Sequence, residues 1–199
     1  MTFSVAIVAT VLTYTWWLAP VTPRSTAAAV GAVVLALALA RAWRAHEWGL
    51  AWSGLGASLW QTALFTAVAG GALAVAGWQR GTWHPRAMSG ADAAMLLLWA
   101  LGQQFALQIT LLRESQAVTS RPVGVVVAAA LFAALHLPNP FLTAVTFVAA
   151  LVWCAIYDRH PNLIPPTMSH ALLTIVVLLA LDDTVTGRLR VGIGYLALR

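Results

Sequence analysis

AMLLLWALGQQFALQITLL, Ala94 to Leu112, is an apolar run with three glutamines set into it: Gln103, Gln104 and Gln108. Read from residue 91, the run is long enough to cross ~30 Å of hydrocarbon as a helix. In lipid every backbone N–H and C=O needs a partner within its own segment, so a run of this kind is helical. Amides in such a helix are a burden unless they face something polar. Gln104 and Gln108 lie four residues apart and share a face, with Gln103 beside them.

The rest of the chain has the same character. Of 199 residues, 61% are hydrophobic and 9% are charged, and mean hydropathy is +0.83. A soluble domain is nearer half apolar and a quarter charged. The composition therefore predicts an all-α, integral membrane helical bundle whose partner is the lipid bilayer. Apolar runs recur about seven times, at 3–19, 26–43, 55–78, 91–112, 122–137, 141–158 and 164–181, so about seven transmembrane helices are expected. The fifth and sixth are short and can tilt or end below the interface. No basic region precedes the first run, which reads as a retained span rather than a secretory signal.

Punctuation supports these boundaries. Pro20 and Pro23 end the first run, and Trp48, Trp52 and Trp60 suit an interfacial approach to the third. Ser89 with Asp92 forms a helix-opening box. Arg113 to Arg121 reads as a polar connection. Pro122 stands in a first helical turn, LPNP (Leu137 to Pro140) stops the fifth helix, and Pro165 and Pro166 open the seventh.

The net charge of +5 comes from eleven arginines with no lysine. They are scattered among the connections, which fits topology and excludes a nucleic-acid surface. Arg24, Arg80, Arg86, Arg188, Arg190 and Arg199 fall on one side, and Arg41, Arg44, Arg113, Arg121 and Arg159 on the other. That balance sets no orientation. The single Cys154 excludes a disulfide framework and a zinc–thiolate cluster. His136 and His170 are the only weak metal candidates, and two histidines without a carboxylate or thiolate are an incomplete zinc site. No metal or cofactor is expected.

Polar side chains at membrane depth usually face the bundle interior and often mark function. Here they are the three glutamines, His136 at the end of the fifth run and His170 at the start of the seventh. Asn139 and Asn162 lie in adjoining loops. The plainer readings are interhelical hydrogen-bond glue for the glutamines and interfacial or capping roles for the histidines. The ten tryptophans read as belt and packing residues, and Thr110 and Ser169 as bonding back to their own helices. Two histidines and an amide cluster on three different helices point to one shared polar site.

Three ordered signatures carry a resemblance. FAALH, Phe132 to His136, is followed by LPNP. HALLT spans His170 to Thr174, after YDRHPNLIPPTMSH. QQFALQ, Gln103 to Gln108, stands 33 residues before His136 at its first residue. From Asp92 to Leu181 the chain resembles the CPBP family, the CAAX-type glutamic intramembrane proteases and bacteriocin-processing relatives. The family's motifs are Glu-Glu-x-x-x-Arg, Phe-x-x-x-His and His-x-x-x-Asn. The second is intact here. Thr174 replaces the asparagine of the third. Gln103 and Gln104 replace the two glutamates, and Gln108 the arginine.

The resemblance implies an N-terminal region of about three transmembrane helices and a loop (1–90), a CPBP or CAAX-protease-like four-helix core (91–182) and a C-terminal tail (183–199). It makes Gln103, Gln104, Gln108, His136, His170 and Thr174 the positions of an endopeptidase site acting on membrane-embedded or lipidated tails, in a multi-pass protein of a bacterial inner membrane. In the family the first glutamate is thought to activate water, with the histidines and asparagine positioning it and stabilising the oxyanion. An amide can orient water or donate to an oxyanion, but it cannot take a proton at neutral pH. Losing the base commonly forfeits ~10²–10⁴ in rate. Exchanging two glutamates and an arginine for three amides leaves no stranded charge, which would be costly in lipid.

Three functions follow as alternatives: a weak or inactive endopeptidase, a pseudoprotease or scaffold that binds membrane-protein C-terminal tails or a partner protease, and a small transporter. The last lacks an inverted repeat or paired interrupted helices. Glu114, Asp92 and Asp158 are the alternative acids. Glu114 is ~16 Å along the helix from Gln103 and reads as a solvated interfacial charge.

Overall fold

The computed structural model describes residues 1–23, 25–84 and 88–198. Arg24, Arg86 and Arg199, three of the arginines counted for orientation, lie outside the described residues. The described chain is helical: α1 (Thr2–Leu18), α2 (Thr26–Ala45), α3 (Leu55–Arg80), α4 (Gly90–Val118), α5 (Arg121–Ala134), α6 (Pro140–Arg159) and α7 (Ile164–Ala180). Two short α-helices follow, α8 (Asp183–Thr186) and α9 (Ile193–Leu196), with a 3-10 turn at Gly187–Leu189 between them.

All seven expected spans are thus helices, but α2, α3, α4 and α6 are the four long and apolar enough to cross a membrane. Helices α1, α5 and α7 are apolar but shorter. At 1.5 Å per residue, α5 reaches only ~21 Å of the ~30 Å needed.

The caps follow from the sequence. Asp92 N donates to Ser89 Oγ at 3.1 Å, and Ser89 N to Asp92 Oδ2 at 3.0 Å, closing the box at the start of α4. Asn139 Oδ1 accepts from Leu142 N at 3.0 Å and opens α6.

Helix α4 does not stop at Leu112. Residues Ala106–Leu112 form a π segment, all seven buried, and regular helix resumes through Val118. The expected polar connection from Arg113 is therefore mostly helical. Its charges are satisfied where they stand. Arg113 Nε pairs with Glu47 Oε1 at 2.6 Å and its Nη1 with Asp158 Oδ1 at 3.3 Å. Arg41 pairs with Glu47 at 2.7 Å and Arg121 with Asp158 at 2.9 Å. The Arg113 guanidinium also lies over the Tyr157 ring, 5.2 Å from its centre. This network ties α2, α4, α5 and α6 together at one end of the bundle.

Glu114 is not a solvated charge either. It accepts from Ser4 N at 2.8 Å and Phe3 N at 3.3 Å, capping the start of α1. A carboxylate there satisfies orphan amides and meets the positive end of the helix dipole.

Burial pushes the Glu47 carboxyl up, but hydrogen bonds from Arg41 and Arg113, and their charges, outweigh it and leave it below its ordinary value. A depressed carboxylate stabilises the fold above its unfolded-state value, and that contribution is lost as pH falls through the folded-state value. Thermal unfolding in detergent should show stability declining in acid below about pH 4.5. Glu47→Gln should be less stable at neutral pH and show a shallower acid decline.

Candidate functional site

The polar side chains of α4, α5 and α7 meet inside the bundle. Gln104 and Gln108 are fully buried. Gln108 Nε2 donates to Gln104 Oε1 at 3.0 Å. That turns the Gln104 amide nitrogen toward His170 Nδ1, at a long 3.4 Å. Gln108 lies inside the π segment of α4 and Gln104 two residues before it starts; such a departure from regular helix is often found at functional positions.

Aromatic rings hold the imidazoles. His170 stacks on Trp153 of α6, with ring centres 5.0 Å apart and planes 27° apart. The Phe132 ring meets His170 edge-on at 6.4 Å and His136 at 5.1 Å. One phenyl ring of the FAALH motif therefore meets both histidines. His136 lies in the turn just after α5.

Hydrogen-bond partners assign the tautomers. His136 Nδ1 lies 2.9 Å from the Phe132 carbonyl oxygen. A carbonyl only accepts, so Nδ1 carries the proton and Nε2 keeps a lone pair. His170 Nδ1 faces an amide donor, so its Nε2 carries the proton. The neutral pair thus offers one acceptor and one donor.

The turn that carries His136 is backed by the C-terminal segment. Asn139 is fully buried, and its Nδ2 donates to the carbonyls of Thr186 at 2.9 Å and Arg190 at 3.0 Å. Gly192 N donates to Leu137 O at 2.8 Å. Asn162, the other loop asparagine, joins two connections by donating to Ala51 O at 3.0 Å.

Not every position named from the sequence joins this cluster. Gln103 is half-buried and, among the described residues, makes no side-chain hydrogen bond. Thr174 Oγ1 donates to His170 O at 2.9 Å, within its own helix. The amide bonded to His170 is that of Gln104. Among the described residues no three His, Cys, Asp or Glu side chains gather as a metal site would require.

Sequence reasoning passed over Trp153 and misread Ser169. Trp153, 3% exposed, donates from Nε1 to Ser169 Oγ at 3.0 Å. The Ser169 and Thr66 hydroxyls lie 2.7 Å apart. Ser169 therefore ties α7 to α3 and α6, where a bond to its own helix was expected. Thr110 Oγ1 also fails to bond back and, among the described residues, has no protein partner. The signal for Trp153 was its place in α6, apart from the interfacial clusters that hold most other tryptophans.

Fold and site together define a polytopic helical membrane protein with a buried amide–imidazole cluster. Residues 91–176 match the family model described as Type II CAAX prenyl endopeptidase Rce1-like. The CPBP resemblance carried by the motifs is thus shown for this segment, which includes every residue of the cluster. Helices α1 to α3 and the C-terminal segment lie outside the match. No curated protein and no solved structure matches the chain.

Proposed function

We propose that this chain is a CPBP-type membrane protein that binds membrane-embedded or lipidated C-terminal tails and does not hydrolyse them. One observation carries this reading: the chain of groups bonded to His170 is Gln108–Gln104, all amide. Glu47 and Asp158 are engaged in the arginine network and Glu114 caps α1. Amides orient a bound carbonyl or water, but they supply no base. A neutral cluster also avoids burying unpaired charge in lipid. The domain division at residues 91 and 182, a membrane-embedded bundle of about seven helices and a bacterial inner-membrane location belong to this same proposal.

The second reading, a weak endopeptidase, is favoured by the Nε2 lone pair of His136. An imidazole with a free lone pair is a possible general base near neutral pH.

Tail binding is tested by photo-crosslinking in nanodiscs. Transmembrane peptides with a photoreactive group near a short C-terminal tail, farnesylated or unmodified, are irradiated with the protein and analysed by mass spectrometry. The expected result is capture of intact peptide at residues flanking His136 and His170, reduced by Phe132→Ala. Absence of capture by every peptide would remove tail binding from the proposal.

A further inference from the structure

Helix α3 has an unusual buried stripe. Its buried residues are Ser58, Thr62, Gly70 and Gly77, while Leu64, Val68, Val75 and Trp78 on its other faces are exposed. The glycine half allows backbone contact with α7: a Cβ at Gly77 would collide with Ala180 O. The other half is made of hydroxyls. Ser58, Thr62 and Thr66 recur every four residues, so they line one face at a spacing of ~6 Å.

Serine and threonine in apolar helices usually donate to the carbonyl one turn back. Thr66 does so, to Thr62 O at 2.7 Å, and Thr15, Thr143, Thr146 and Thr174 do the same. Ser58 and Thr62 do not. Among the described residues their hydroxyl oxygens have no protein partner, and the residues are only 0% and 3% exposed. Buried polar atoms are almost always satisfied, by protein or by internal water.

The stripe leads toward the imidazoles. A hydroxyl has one proton, and Thr66 gives its own to Thr62 O. Ser169 must therefore supply the proton of the 2.7 Å contact with Thr66, while Ser169 Oγ accepts from Trp153 Nε1. Trp153 stacks on His170. At the other end, Ser58 N bonds to Gly54 O at 2.9 Å, at the loop where α3 begins. Gly54 is packed against the His160 ring. One water making two hydrogen bonds of ~2.8 Å spans most of a ~6 Å step between hydroxyls.

We propose that Ser58, Thr62 and Thr66 line a hydrated track between α3 and α7, carrying water from the Gly54–His160 end of the bundle to Ser169 and the imidazole cluster. The track is independent of whether the cluster binds tails or cuts them.

Accessibility of thiols to water tests it. Ser58→Cys and Thr62→Cys, with Leu64→Cys and Val68→Cys as lipid-facing controls, are placed in nanodiscs. Each is reacted with a water-soluble methanethiosulfonate, and the unmodified chain supplies the background of Cys154. Thiolate forms only where water reaches, so the two stripe positions should react about tenfold faster than the controls. Stripe thiols as slow as the controls overturn the track. If those variants do not fold, hydroxyl-radical footprinting of the unmodified chain decides. Oxidation of the buried Trp153, lowered several-fold by the near-isosteric Thr62→Val, supports the track. Full protection of Trp153, or oxidation unchanged in Thr62→Val, overturns it.

Discussion

Gln104→Leu is expected to destabilise the protein by about 2–4 kcal/mol, whereas Gln103→Leu should change stability by less than about 0.5 kcal/mol. Gln104 is fully buried. It accepts from Gln108 and donates to His170. Leucine there fills a similar volume but strands both partners. Gln108 Nε2 loses its acceptor, and among the described residues Gln108 Oε1 already lacks a donor. His170 Nδ1 loses its donor. Each stranded buried group costs about 1–3 kcal/mol, and lipid offers no alternative partner. Gln103 is half-buried and makes no such bond among the described residues, so its loss removes little. Unfolding in detergent, followed by tryptophan fluorescence, measures the difference. Equal effects at the two positions would contradict the assignment of Gln104 as the partner of His170.

Gly77→Val should be the most disruptive change outside the cluster, at about 2–4 kcal/mol. An ideal Cβ at Gly77 would meet the Ala180 carbonyl oxygen at a forbidden separation and its carbonyl carbon at 2.8 Å. Those are backbone atoms, so no rotamer change relieves the clash. Thr82 Oγ1 donates to the same carbonyl at 2.7 Å, which holds it in place. The α3–α7 seam must open, and the seam also contains the Thr66–Ser169 contact. Close approach at small residues is a main source of helix association in lipid, where the hydrophobic effect between helices is absent. Gly71, with nothing near its would-be Cβ, is the matched control, and Gly71→Ala should be neutral or slightly stabilising. Because Ala and Val both exceed Gly in helix propensity, lowered unfolding midpoints for both variants would show that α3 tolerates no added side chain and that the Gly77–Ala180 contact is not the special feature.

Much of the fold was legible because lipid restricts the choices. Apolar runs had to be helices, and Pro20, the Ser89–Asp92 box, LPNP and Pro165–Pro166 marked their ends. The shortness of α5 was legible too, but α6, also read as short, runs 20 residues and is long enough to cross. What escaped was tertiary. Arg113 looked like a helix end because Glu47 and Asp158, its partners, are remote in sequence. Glu114 looked solvated because its role depends on α1 packing beside α4.

The cluster was partly legible for the same reason. The sequence placed amides and histidines on three helices, and their shared burial around Phe132 follows from packing. Helical spacing put Gln103 beside Gln104 but could not rank them. The π segment at Ala106–Leu112 breaks the regular period on which facing arguments depend. Ser169 gave no local signal and Trp153 only its position along α6, since stacking on His170 and a bond to α3 exist only once α6 and α7 are packed.

The most direct test of the non-hydrolytic reading is a cleavage assay. Purified protein in nanodiscs is incubated with transmembrane substrates bearing short C-terminal tails, farnesylated and unmodified, and products are followed by intact-mass spectrometry. No product is expected from the wild type. None is expected from Gln103→Glu, because Gln108 and Thr174 still stand where the family motifs have arginine and asparagine. Cleavage by the wild-type protein that disappears in His136→Ala would contradict the account.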